Sequence, residues 1–245
     1  MSKKRKILLG ILIPTTLILI IMTGGLIFLS QSYDPMQEAL NALESSTDIT
    51  ITKVNHLIVF DPANRTSDVG LFFYPGGNVE PESYSKIARG IALNGSLVVI
   101  VKMPFDLAIF SPKRGSKVME EFPGIDSWVI GGHSLGGTMA ANHVYSDPEV
   151  FTGLVLLASY PQESKSLSSF NIPVLTIYAS LDGVVSKNIP DTISFLPATN
   201  TTLFEIVGGN HANFGSYTQA SLPKSCIFVK NKLICYLKYE LSECQ

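Results

Sequence analysis

The sequence is poor in cysteine and histidine. Of 245 residues, three are Cys, at 226, 235 and 244, and four are His, at 56, 133, 143 and 211. The bulk of the chain therefore has no disulfide framework, and an odd count leaves at least one thiol unpaired within a monomer. The histidines are dispersed, with no H-E-x-x-H run and no cysteine cluster. Nothing in the pattern calls for a metal or another cofactor. No cysteine stands near residue 30 to carry a lipid, and no A-x-A cleavage site follows Leu29. Internal repeats and low-complexity tracts are absent. A basic surplus is also missing from most of the chain. After residue 30 there are 14 Lys and Arg against 20 Asp and Glu, net −6. That balance argues against nucleic acid as a partner.

The start of the chain has the opposite character. MSKKRK places four basic residues in the first six, and the 23 residues from 7 to 29 carry no charge. As a helix those 23 would span about 35 Å, enough for a hydrocarbon core. The expectation is a cytoplasmic basic segment (1–6) and a single transmembrane signal-anchor (7–29). The N-terminus would then lie inside the cell membrane and the rest of the chain outside. Secretion after signal cleavage is the rival reading. Residues 30–51 read as a linker with a leading helix near 35–43. Residues 52–217 are long enough for one sizeable core.

The stretch IDSWVIGGHSLGGTMAANHV (125–144) organises that core. Trp128, Val129 and Ile130 suit a buried strand, whereas Leu135, Met139, Ala140 and Val144 recur at helical spacing. Between them lies Gly132-His133-Ser134-Leu135-Gly136, a G-x-S-x-G pattern. A serine on such a sharp turn has its hydroxyl raised at the carboxyl end of the sheet. Small flanking residues let strand and helix cross closely. A capping serine in a Gly-rich turn is the bland alternative.

Two partners follow in order. Asp182 lies just past an expected strand, VLTIY (174–178), and His211 just past LFEIV (203–207). The gaps are 48 and 29 residues. Strands are also expected at 54–60, 69–74, 97–102 and 151–157, with Gly153 as a candidate bulge. Helices are expected at 81–93, 113–121 and 185–193. Alternating strands and helices give a mostly parallel sheet covered on both faces. Ser134, Asp182 and His211 all fall at carboxyl ends of strands, where such sheets place their chemistry. The serine is a nucleophile, the histidine a general base, and the aspartate holds the imidazole. The backbone N–H of Leu135 is one candidate oxyanion donor; that of Gly77 or Asn78, in the PGGN loop after strand 69–74, is the other. Phe105, Phe110 and Tyr160 are candidate pocket residues. Only about 15 residues separate strands 151–157 and 174–178, so little or no lid fits. His133 reads as elbow packing. His143, nine residues beyond Ser134, stands about 14 Å along the helix and cannot reach the hydroxyl.

The chain resembles the bacterial α/β-hydrolase superfamily, and within it the small membrane-anchored or secreted "alpha/beta hydrolase family 5" group. FFYPGG (72–77), VIVKMPFDLAIF (99–110), WVIGGHSLGG (128–137), LVLLASYP (154–161), IYASLDGV (177–184) and GGNHANFGSY (208–217) carry the resemblance. It implies the α/β-hydrolase fold and Ser134, Asp182 and His211 as a triad, but no defined substrate. The tail, 218–245, departs from the pattern: it contains every cysteine, is rich in Lys, and lacks the usual Gly/Asp-rich stretch. It is expected to be divergent, with weaker packing behind His211; truncation after Tyr217 distinguishes a dispensable tail from one that folding needs.

The function expected is a membrane-anchored extracytoplasmic serine hydrolase acting on a small acyl compound, most simply a carboxylic ester. Acyl transfer by the same triad is an alternative, as is a catalytically impaired membrane-tethered binding domain. Oligomeric state is not specified by the sequence.

Overall fold

The computed structural model describes residues 3–29, 31–185, 187–218 and 224–238, with side chains undescribed at 3–11, 26–29, 117, 118, 120, 224–228 and 238. Two compact units are distinguished, Met1–Ser32 and Tyr33–Gln245. The first contains helix α1 (Lys3–Leu29). Its side chains are described only from 12 to 25, fewer than the roughly 20 apolar residues a span needs. Among the described residues no helix is long and apolar enough to cross a membrane. The structure therefore does not show the expected transmembrane helix.

The second unit is built on an eight-stranded sheet of order β1-β2-β4-β3-β5-β6-β7-β8. The strands are β1 (Ile49–Val54), β2 (Leu57–Pro62), β3 (Val69–Tyr74), β4 (Val98–Val101), β5 (Ser127–His133), β6 (Gly153–Leu157), β7 (Val174–Ala179) and β8 (Thr201–Ile206). β1 and β2 pair antiparallel, as do β2 and β4; every other neighbouring pair is parallel. The central strands read as continuous apolar runs because both faces are covered. On one face Ile87, Ala88 and Ile91 of α3 (Ser85–Ala92) join Val229 and Leu233 of α5 (Lys224–Lys238) over Leu71, Phe73 and Val155. On the other, Met139, Ala140 and Val144 of α4 (Leu135–Ser146) pack over Phe72, Ile130 and Leu154.

Several local expectations change. The single strand expected at 54–60 is half of a hairpin. Val54 pairs with Leu57, and the reversal uses Asn55 at φ 50°, a conformation asparagine tolerates better than most residues. β1 thus takes in the end of the expected linker. Within that linker, α2 (Gln37–Asn41) is present, and Tyr33 and Pro35 bridge to Val79 and Tyr217. Gly153 is not a bulge: it pairs in regular register with Val129. A Cβ there would stand 2.5 Å from the Tyr236 hydroxyl, so close approach explains the glycine. The helix expected at 185–193 is a 3-10 turn at Ile189–Phe195.

The tail differs most. Its residues 224–238 form α5, with Val229, Leu233, Tyr236 and Leu237 buried. The Tyr236 hydroxyl donates to the Pro173 carbonyl at 2.8 Å and accepts the Leu154 N–H at 3.2 Å. The segment belongs to the core. Cys235 is disulfide-bonded; the Cys226 side chain and Cys244 lie outside the described residues. Between β6 and β7 the one helical feature is a three-residue turn, Glu163–Lys165, so no lid is inserted there.

Candidate active site

β5 delivers the chain to Ser134, which sits at φ 53° and ψ −123°. A non-glycine residue pays roughly 1–3 kcal/mol for such a conformation. The surrounding glycines are required by packing. A Cβ on Gly132 would stand 2.6 Å from the Tyr74 carbonyl oxygen, and one on Gly136 would stand 2.2 Å from that of Pro75. Gly137 is constrained as well, since its Cβ would lie 2.0 Å from Ser159 Oγ. The G-x-S-x-G pattern covers the first two glycines but not the third, whose neighbour comes from after β6.

Asp182 follows β7 and His211 opens the 3-10 turn His211–Phe214 after β8. His211 Nδ1 is 2.8 Å from Asp182 Oδ2, and His211 Nε2 is 2.9 Å from Ser134 Oγ. The structure thus brings together three side chains spread over 78 positions of sequence. With Nδ1–H donated to the carboxylate, Nε2 is the acceptor facing the serine hydroxyl. The other carboxylate oxygen, Oδ1, accepts the N–H groups of Val184 at 2.9 Å and Val185 at 3.2 Å. Burial pushes the Asp182 carboxyl up, but the hydrogen bonds from His211 and the Val184 amide outweigh it and hold the group below its usual value. A lowered folded pKa stabilises the fold above the unfolded carboxyl value of about 3.9, and this contribution disappears as pH falls through the folded value. Unfolding free energies of the wild type and Asp182→Asn, measured in urea, are expected to differ most above about pH 5 and to converge as acid protonates the folded carboxyl. A gap that widens with acid would contradict this balance of forces.

The candidate oxyanion donors separate. Leu135 N–H lies at the start of α4, where helix amides have no intrahelical acceptor. Gly77 packs on the same residue: a Cβ there would be 3.1 Å from Leu135 Cδ2 and 3.4 Å from Leu107 Cδ2. The Asn78 amide instead donates to the Asp106 carbonyl at 3.0 Å. The Gly76 amide donates to the Tyr84 hydroxyl at 3.0 Å. Among the described residues, that leaves the Gly77 N–H as the candidate of this loop with no acceptor, and composition alone does not distinguish it from Asn78.

The loop that holds Asn78 carries two candidate pocket residues. Phe105 and Asp106 are both left-handed, at φ 55° and 52°. Phe105 and Phe110 are about half exposed, and their rings meet edge-on at 5.8 Å. Tyr160 is partly exposed, and its carbonyl accepts the Thr138 hydroxyl of α4 at 3.0 Å. A cavity of about 250 Å³ opens beside Asp182, lined by Tyr178, Ser180, Lys187 and Glu205, but Ser134 does not line it. His143 is buried against the Tyr74 hydroxyl at 3.2 Å, away from the serine.

The profile of the Alpha/beta hydrolase family matches residues 70–232, about two thirds of the chain. No curated protein sequence matches significantly. Solved structures do. "TT1662 from Thermus thermophilus" superposes with TM-score 0.59 at 14% identity, over 78% of this chain and 98% of its own. "Est1E from Butyrivibrio proteoclasticus" does so with TM-score 0.55 at 11% identity, over 78% and 97%. A "predicted CIB-like hydrolase from Thermoplasma acidophilum" gives 0.53 at 16%, over 75% and 97%. At such identities the superpositions speak for the fold. With the profile match from β3 through β8, the elbow and the first half of α5, they lead to one conclusion: this chain belongs to the alpha/beta hydrolase family.

Proposed function

We propose that the protein is a serine hydrolase acting on carboxylic esters through an acyl-serine intermediate. The observation that carries this reading is the continuous hydrogen-bonded line from Asp182 through His211 to Ser134, with the serine held in a strained elbow. A hydroxyl is a poor nucleophile near neutrality, and His211 Nε2 is placed to take its proton as Oγ attacks the acyl carbon. Asp182 supports the imidazolium that forms. Negative charge on the carbonyl oxygen is met by the N–H groups of Leu135 and Gly77. Collapse expels the alcohol, which receives the proton from His211. Water, deprotonated by the same nitrogen, then attacks the acyl carbon; the bond to Oγ breaks, His211 returns the proton to Ser134 and the carboxylic acid leaves. The absence of a lid between β6 and β7 fits a small, accessible substrate. Phe105, Phe110 and Tyr160 are proposed to line its path.

The test is covalent. A fluorophosphonate probe should label one residue of the purified protein, and peptide mass should place it at Ser134. A folded protein that stays unlabelled and hydrolyses no member of a p-nitrophenyl ester series would reject the reading. Added alcohols that capture the acyl group in preference to water would shift it to acyl transfer.

A membrane anchor is proposed for the N-terminus. The basic residues Lys3 to Lys6 open helix α1, whose consecutive apolar residues, Leu17 to Met22, place hydrophobic side chains on every side. The full chain is expected to stay with the membrane fraction through alkaline carbonate washing, with its main domain outside, whereas residues 31–245 should remain soluble. Recovery of the intact full chain from the soluble fraction would count against the anchor.

A further inference from the structure

A second line of buried polar groups, unused by the proposed chemistry, joins the loop of Gly77 to His211. The Gly76 N–H donates to the Tyr84 hydroxyl at 3.0 Å. That hydroxyl lies 2.9 Å from His133 Nδ1, and His133 Nε2 lies 3.0 Å from the main-chain carbonyl oxygen of His211. Donor roles follow from the last contact. A carbonyl only accepts, so His133 Nε2 carries the hydrogen, Nδ1 of the neutral ring accepts, and the Tyr84 O–H donates to it. The Tyr84 oxygen can then accept the Gly76 N–H. Both side chains are 1% exposed.

Packing reinforces the line. The His133 ring lies 4.7 Å from that of His211 and 5.5 Å from that of Phe214. A Cβ on Gly76 would stand 2.8 Å from His133 Nδ1 and 2.9 Å from the Tyr84 oxygen, so glycine alone fits against the pair. Burial, with His211 nearby, lowers the His133 pKa to about 3. A protonated ring would present two donors and take from the Tyr84 O–H its acceptor at His133 Nδ1.

We infer that Tyr84 and His133 are positioning residues that hold the oxyanion-loop amide of Gly77 and the His211 imidazole in fixed register across the nucleophile. The inference rests on the serine-hydrolase reading. In that reading the donor to the developing oxyanion and the general base come from loops far apart in sequence, after β3 and after β8. His133, one residue before the nucleophile, ties both to β5. An error of about 1 Å in such a constellation can cost on the order of a hundredfold in rate.

Two measurements on the full chain test this. In the first, kcat is measured per active site, with sites counted by stoichiometric fluorophosphonate labelling. Tyr84→Phe is expected to lower it by about ten- to a hundredfold with KM within about twofold. His133→Gln keeps a donor near the Nε2 position but has no acceptor where Nδ1 meets the Tyr84 hydroxyl. It should give a similar loss, and the double variant should be little worse than either single one. Unchanged turnover per labelled site, or losses that simply multiply, would reduce the pair to structural filler and overturn the inference. In the second, 15N NMR of wild-type His133 should show a neutral ring protonated at Nε2 from pH 8 to pH 5, where a free imidazole titrates at about 6.5. Titration of His133 within that range would overturn it even if the variants fail to fold. A wild-type chain that neither labels nor turns over, with His133 still neutral, would remove the hydrolase reading and the positioning role with it, leaving only the hydrogen-bonded line.

Discussion

Ser134→Ala is expected to lower kcat/KM for an ester by about a thousandfold or more, equivalent to about 4 kcal/mol of transition-state stabilisation. The same change should move folding stability by no more than about 1 kcal/mol, because it removes one partly exposed hydrogen bond, the one to His211. Backbone strain does not blur the comparison, since alanine at φ 53° is strained much as serine is. Glycine would relieve that strain, so Ser134→Gly should be as inactive as Ser134→Ala and somewhat more stable. The contrast between a large kinetic and a small stability effect is the signature of a nucleophile. Measured in parallel by steady-state kinetics and thermal unfolding, an alanine variant retaining a tenth of the activity would exclude acyl-serine chemistry at this position.

Where the site was legible in the sequence, the information was local or ordinal. The change from an apolar run at Trp128–Ile130 to helical spacing after Leu135 marks a strand-to-helix turn, and flanking glycines mark the tight crossing. The order of Ser134, Asp182 and His211 needs only the knowledge that strand ends in a parallel sheet face one way. What escaped depends on directions and on distant partners. Whether Gly77 or Asn78 has an uncommitted amide is decided by the Asp106 carbonyl, which lies across a turn with two left-handed residues. Tyr84 reads as one more residue of an expected helix, and its contact with His133 spans 49 positions. The β1–β2 hairpin hid although Ile49 and Ile51 alternate with Thr50 and Thr52, because only two residues, Asn55 and His56, separate Val54 from Leu57 and the two strands read as one run. Departure of the tail from a familiar pattern concealed its role for a similar reason. Val229, Leu233, Tyr236 and Leu237 have helical spacing, but cysteines and lysines dominate the composition around them.

That helix carries the largest structural prediction. Truncation after Tyr217 is expected to unfold the domain, whereas a dispensable tail would leave it intact. Burying a large apolar side chain contributes about 1.5–3 kcal/mol, so the four buried residues of α5 represent a gross loss of roughly 6–12 kcal/mol. The net stability of a domain is about 5–15 kcal/mol. Releasing the helix returns conformational entropy to its own residues, but it also exposes apolar surface they cover on α3 and the sheet. It further removes the Tyr236 hydroxyl from the Leu154 N–H and the Pro173 carbonyl, at the start of two central strands. A graded version separates packing from chain length: Leu233→Ala should cost about 2–5 kcal/mol, read from urea unfolding of an otherwise complete chain. Because α5 covers the face of the sheet below α3, and the site lies at the strand ends, Leu233→Ala should leave turnover per folded molecule unchanged. A truncated protein that melts in one sharp transition and retains full activity would show that residues 224–238 lie on the domain without helping to hold it together.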